Sequence, residues 1–76
     1  MKRDIHVGKM YTHFKGNVYK VLYIALHTET NEDMVIYQDV KDVSKIYARP
    51  YDMFISEVDH DKYPEVKQRY RFEENS

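Results

Sequence analysis

The sequence predicts a mostly β fold: a small β-barrel or strongly curved sheet of about five short strands, with one or two short helical turns. Three observations predict it. Residues 10–14, 18–27, 34–39 and 46–49 are short runs rich in β-branched and aromatic side chains, and the tail at 69–73 alternates charged with aromatic residues. Polar segments of hairpin length separate the early runs. The only two glycines and two prolines all stand outside the runs, where chain breaks belong. A length of 76 residues makes residues 1–76 one domain.

Each element has its own signal. Gly8 precedes the first strand at 10–14. Lys15-Gly16-Asn17 reads as a tight turn, because Gly and Asn tolerate positive φ. The strongest strand is 18–27. Val18, Lys20, Leu22, Ile24 and Leu26 lie on one face, and Tyr19, Val21, Tyr23, Ala25 and His27 on the other. Apolar residues on both faces predict a long, bent, central strand. Residues 28–33 form a polar turn, and Met34 opens the next strand, which ends at Asp39. After a charged loop at 40–45, a short strand at 46–49 is stopped by Pro50, which has no N–H to donate. Tyr51-Asp52-Met53-Phe54 reads as one helical turn plugging an end of the fold. Residues 55–58 are a further strand candidate, Pro64 a candidate start of a second helical turn, and 69–73 a last edge strand. Closure or covering of the sheet edges keeps such a chain soluble.

Four stretches together resemble a known family: residues 8–16 (GKMYTHFKG), 19–30 (YKVLYIALHTET), 47–50 (YARP) followed by Met53-Phe54, and 63–73 (YPEVKQRYRFE). They are similar to the bacterial family catalogued as domain of unknown function 1653, over nearly the whole chain. The resemblance implies a small SH3-like β-barrel and brings no biochemical activity with it. The family's usual tryptophan before the ARP-like segment is here Tyr47, and the loop at 39–45 lacks the usual glycine.

Composition narrows the function. With 12 basic and 13 acidic residues the net charge is −1, which argues against a strong sequence-independent grip on nucleic acid. The absence of cysteine removes disulfides, thiolate zinc sites and thiol nucleophiles. No apolar run is long enough to span a bilayer, and no apolar stretch follows the charged start Met1-Lys2-Arg3-Asp4, so a cytoplasmic home without membrane contact is expected. Gly-rich phosphate loops and Gly-x-Ser-x-Gly elbows are missing.

Five constellations remain. His13, His27, Glu29 and Glu32 have side chains that hold zinc or move protons, but not at the spacing of a zinc motif; the plainer reading pairs the histidines with backbone or tyrosine. Arg49 is placed either in an ion pair with Glu29 or facing a pocket that takes a phosphate or carboxylate. The tyrosines at 11, 19, 23, 37, 47, 51, 63 and 70 supply core bulk or an aromatic groove for peptides or bases. Lys62, Lys67, Arg69 and Arg71, interleaved with Tyr70 and Phe72, form a basic tail that reads as an ordinary edge strand offset by Glu65, Glu73 and Glu74. The acidic stretch 57–61 reads as a solvated turn.

The expected function is therefore a binding or interaction module without catalytic residue, metal or cofactor. Its ligand-facing surface is built from His13, His27, Glu29, Tyr37, Tyr47, Arg49 and Tyr51. Protein, peptide and nucleic acid are the partner classes open to it. The rival from another class is a small metal-assisted or acid–base enzyme using His13, His27 and Glu29. A weak nucleic-acid-binding barrel and a subunit that merely dimerises or docks complete the set.

Overall fold

A computed structural model describes residues 3–75. Met1 and Lys2 of the charged start, and Ser76, lie outside the described residues. Five strands, β1 (Met10–His13), β2 (Val18–Leu26), β3 (Asp33–Asp39), β4 (Ile46–Pro50) and β5 (Phe72–Glu74), form one antiparallel sheet in the order β4-β3-β2-β1-β5. The helical turn α1 (Tyr51–Phe54) follows β4 directly.

The mixed faces of β2 have a physical cause. The register with β3 shifts between Val21 and Tyr23, so Leu22 is an extra residue that bulges the strand. A bulge reverses which side chains face inward and sharpens the twist. Val21 is thus fully buried opposite Tyr37, whereas beyond the bulge Ile24, not Tyr23, stands opposite the buried Val35. The far end of β2, with Tyr23 and Leu26, is exposed.

The core fills the concave side of this bent sheet. Tyr11, Val21, Val35, Tyr37, Phe54 and Phe72 are buried together with Ile5. Phe54 and Phe72 stack with ring centroids 4.0 Å apart and only 7° between planes. Tyr37 meets both edge-on, at 5.4 and 5.5 Å. The sheet curls so far that side chains of its two edge strands meet: the Arg49 guanidinium of β4 lies 5.3 Å from the Phe72 ring of β5. No ladder joins those strands, so the sheet is open and its gap is crossed by side chains and residues 51–71.

Several tail expectations change. Residues 55–58 make no strand in the sheet; Glu57 forms a single bridge with Tyr70. Pro64 opens no helix, only a turn, because the 59–63 segment is already wound by the Asp59 carboxylate, which accepts from the N–H groups of Asp61 and Lys62. The last strand starts at Phe72 rather than 69, since Arg69 and Tyr70 give their N–H groups to the Glu73 carboxylate instead of a ladder.

Candidate functional site

The β1–β2 turn is a product of Gly16. Its φ of +104° suits a residue without Cβ, and the turn closes through bonds from the His13 N–H to Asn17 O and from the Gly16 N–H to His13 O, both 2.8 Å. This geometry sets His13, Phe14 and Lys15 at the rim of a cleft of about 320 Å³. The opposite walls come from distant parts of the chain: Arg49 of β4, Asp59, Lys62 and Tyr63 of the loop, and Arg71 just before β5.

The backbone fixes these groups. Arg71 is clamped on both sides, its N–H donating to Ser56 O at 2.9 Å and its carbonyl accepting from the Phe14 N–H at 3.0 Å. Gln68 pins the loop by donating its amide N–H to Thr12 O and Tyr70 O. Arg49 rests on the core: its Nε donates to the Tyr37 hydroxyl at 3.2 Å while its plane lies over Phe72. Phe14 and Tyr63 form an aromatic wall with centroids 5.1 Å apart. Lys15 Nζ approaches both rings, and Lys62 Nζ approaches Tyr63.

The cleft is strongly positive. Lys15, Arg49, Lys62 and Arg71 face one carboxylate, Asp59, a surplus of three positive charges in a chain of net charge −1. Neither Arg49 nor Arg71 forms an ion pair among the described residues, whereas the neighbouring Arg69 is bound to Glu57 at 3.2 Å. His13 registers the field. Burial first, then Arg49, Lys15 and Arg71, push its pKa down to about 4, so the ring is neutral at pH 7. Its Nδ1 accepts the Lys15 N–H at 3.1 Å, which leaves the proton on Nε2 and makes that nitrogen a donor.

The structure divides the sequence-selected residues. His13 and Arg49 come together at the cleft, and Tyr37 and Tyr47, 5.6 Å apart, stand behind Arg49, with Tyr37 buried and Tyr47 exposed. His27 and Glu29 lie elsewhere, in the β2–β3 turn, where His27 Nδ1 accepts the Glu29 N–H at 3.1 Å. Tyr51 holds the N-terminal segment, its hydroxyl donating to Arg3 O at 2.8 Å and accepting from the Ile5 N–H at 3.0 Å. It also lines a second, acidic cleft of about 240 Å³ with Asn31, Glu32, Asp33 and Asp52. The Arg49–Glu29 ion pair does not form, because the Arg49 side chain turns to Tyr37 and Phe72 instead. The enzymatic triad is not assembled either. His13 ends β1 beside the start of β2, and His27 follows the far end of β2, so the length of that nine-residue strand separates them. Among the described residues no group of three His, Asp or Glu side chains could hold a metal.

Sequence reasoning missed Phe14, Lys15, Lys62, Tyr63 and Arg71 as one site. Their signal was present only as basic residues beside aromatic ones in HFKG, DKY and RYR, segments that only the topology brings together. The model of the family described as protein of unknown function (DUF1653) matches residues 9–74, and the chain belongs to that family. No curated protein and no solved structure matches the chain. Among the described residues no helix is long and apolar enough to cross a membrane.

Proposed function

We propose that this member of the DUF1653 family is a small binding module whose ligand presents a phosphate or carboxylate group to the basic cleft. One observation carries the reading: four cations from four chain segments converge on a single cleft against one carboxylate, in a chain that is otherwise slightly acidic. A cleft lined by one sign of charge focuses its field and concentrates the opposite ion. Two guanidiniums add planar forks suited to bidentate contact with oxyanions. The neutral His13 ring adds a donor without adding charge.

An amide-resolved NMR titration of labelled protein with sodium phosphate at constant ionic strength tests this. The expected shifts fall on His13, Phe14, Lys15, Arg49, Lys62, Tyr63 and Arg71 and spare residues 27–33. Shifts spread evenly over all lysines and arginines, or absent from the cleft with phosphate and acetate alike, overturn it.

A further inference from the structure

We infer that the group taken up by the basic cleft is a phosphate monoester in its dianionic form, carried on a planar ring system of nucleotide size. This rests on the anion-binding reading above and narrows it.

Charge matching decides between oxyanions. The cleft holds four cations against one carboxylate. A carboxylate or a phosphodiester brings one negative charge and leaves at least two of the surplus cations uncompensated. A phosphate monoester brings about −1.5 to −2 at neutral pH and three strong acceptor oxygens. Donor supply points the same way. Two guanidiniums, two ammonium groups and the Nε2–H of His13 offer far more N–H groups than the two oxygens of a carboxylate can accept.

Size and wall chemistry decide what carries the phosphate. At about 320 Å³ the cleft is larger than a bare ion needs and at the lower end for small-molecule sites. The ammonium of Lys15 lies 5.9 and 5.8 Å from the Phe14 and Tyr63 ring centres, and that of Lys62 lies 5.5 Å from Tyr63. A phosphate held by these lysines lies beside aromatic rings on which an attached group can rest. Half-buried rings beside cations suit a planar base, which stacks on them with little regard to its identity. Free nucleotides and the phosphorylated end of a single strand both present this combination.

The test compares probes of graded charge by NMR and calorimetry at neutral pH: adenosine 5′-monophosphate, its 3′,5′-cyclic diester, adenosine, inorganic phosphate and acetate. The monophosphate is expected to bind at least about tenfold more tightly than the diester, and inorganic phosphate to fall between them. Affinity is expected to drop between pH 7 and 5 as the dianion takes its second proton near pH 6. The His13 pKa should rise from about 4 when the dianion offsets its cationic neighbours. A 5′-phosphorylated tetranucleotide against its 5′-hydroxyl form separates the sources: a gain from the terminal phosphate assigns the strand end, and binding of the free monophosphate alone assigns the nucleotide. Lys62→Gln, on the exposed loop, should cost about tenfold without unfolding the chain, which keeps the test open if Arg49→Gln fails to fold. Equal binding of diester, acetate and monophosphate overturns the monoester and leaves the anion cleft standing. Silence of the cleft toward every anion removes both.

Discussion

The two clefts of this molecule begin from nearly the same turn geometry and end with opposite charge. Each lies beside a β-turn that follows a strand, each turn opens with a histidine, and each histidine accepts through Nδ1 the N–H two residues on, at 3.1 Å in both cases. Each turn contains one residue with positive φ, Gly16 in the first and Asn31 in the second. The cleft at the β1–β2 turn nevertheless gathers Lys15, Arg49, Lys62 and Arg71, and the one at the β2–β3 turn gathers Glu32, Asp33 and Asp52. The difference arises partly in the turns, which supply Lys15 to the first cleft and Glu32 and Asp33 to the second, and partly from what the topology delivers across each turn. The first is met by β4, the 59–63 loop and the approach to β5. The second is met by α1. Turns of similar geometry become different surfaces through their own charged residues and through partners that are remote in sequence.

The comparison is broken most severely at the floor of the basic cleft. Phe72 is buried, stacks on Phe54, touches His13 edge-on at 4.8 Å and carries the Arg49 guanidinium on its face. Phe72→Ala should cost about 3–5 kcal/mol, as truncation of a buried aromatic does. On the acidic side Tyr51→Phe removes one hydroxyl with two hydrogen bonds and should cost about 1–2 kcal/mol. Urea denaturation checks both. Equal losses would show that the basic cleft is not built on the core.

Charge exchange comes next. Lys62→Glu with Arg71→Glu should lower phosphate affinity by more than about thirtyfold, roughly 2 kcal/mol. Glu32→Gln with Asp33→Asn should change it by less than about twofold, because the Debye length near 8 Å at physiological salt screens the far end of β2 from the basic cleft. A large effect of the second pair would mean that the two clefts act as one field.

The sheet was legible in the sequence because its signals are local. Richness in β-branched and aromatic residues marks the first four strands, Gly16 marks a turn, and apolar residues on both faces of residues 18–27 announce the bend that Leu22 produces by bulging. The tail was less legible. Side-chain carboxylates of Asp59 and Glu73 capture the backbone donors there, and such local competition does not follow a period. The site was half legible. His13 and Arg49 stood out as polar residues beside apolar strands, and a pocket that takes an anion was one of the two readings of Arg49. Lys62 and Arg71 looked like members of a neutralised tail, yet Glu57 binds Arg69 and leaves Arg71 for the cleft. Pairing of that kind is decided by the curl of the sheet, not by neighbours in the chain.

A smaller effect is the pH dependence that His13 gives the first histidine turn. His13 has a folded-state pKa of about 4, below the ordinary 6.5, through burial and then Arg49, Lys15 and Arg71 from three different segments. The unfolded chain therefore takes up the proton first as pH falls. Stability is level in this respect above pH 6.5 and declines between 6.5 and about 4. Allowing for solvent at the half-exposed ring, the loss is about 1–2 kcal/mol. His13→Phe should flatten that segment of the stability–pH curve relative to the wild type. Identical curves for wild type and His13→Phe would remove the cationic field from the account.

The smallest change tests whether the turn itself positions the cleft. A Cβ at Gly16 would meet no atom within 4 Å, so Gly16→Ala introduces no clash and acts through backbone conformation alone. At φ +104° an alanine is strained, and the expected loss of stability is about 1 kcal/mol. The chain can relieve that strain by opening the turn, which moves Lys15 and loosens the bond from its N–H to His13 Nδ1. Gly16→Ala should therefore weaken phosphate binding severalfold and shift the Lys15 and His13 resonances even without ligand. Asn31→Ala, which strains the other turn at φ 60°, should cost similar stability and leave phosphate affinity unchanged. If both substitutions weaken binding equally, the effect belongs to global loosening of the fold. If only Gly16→Ala does, the β1–β2 turn holds one wall of the cleft in place.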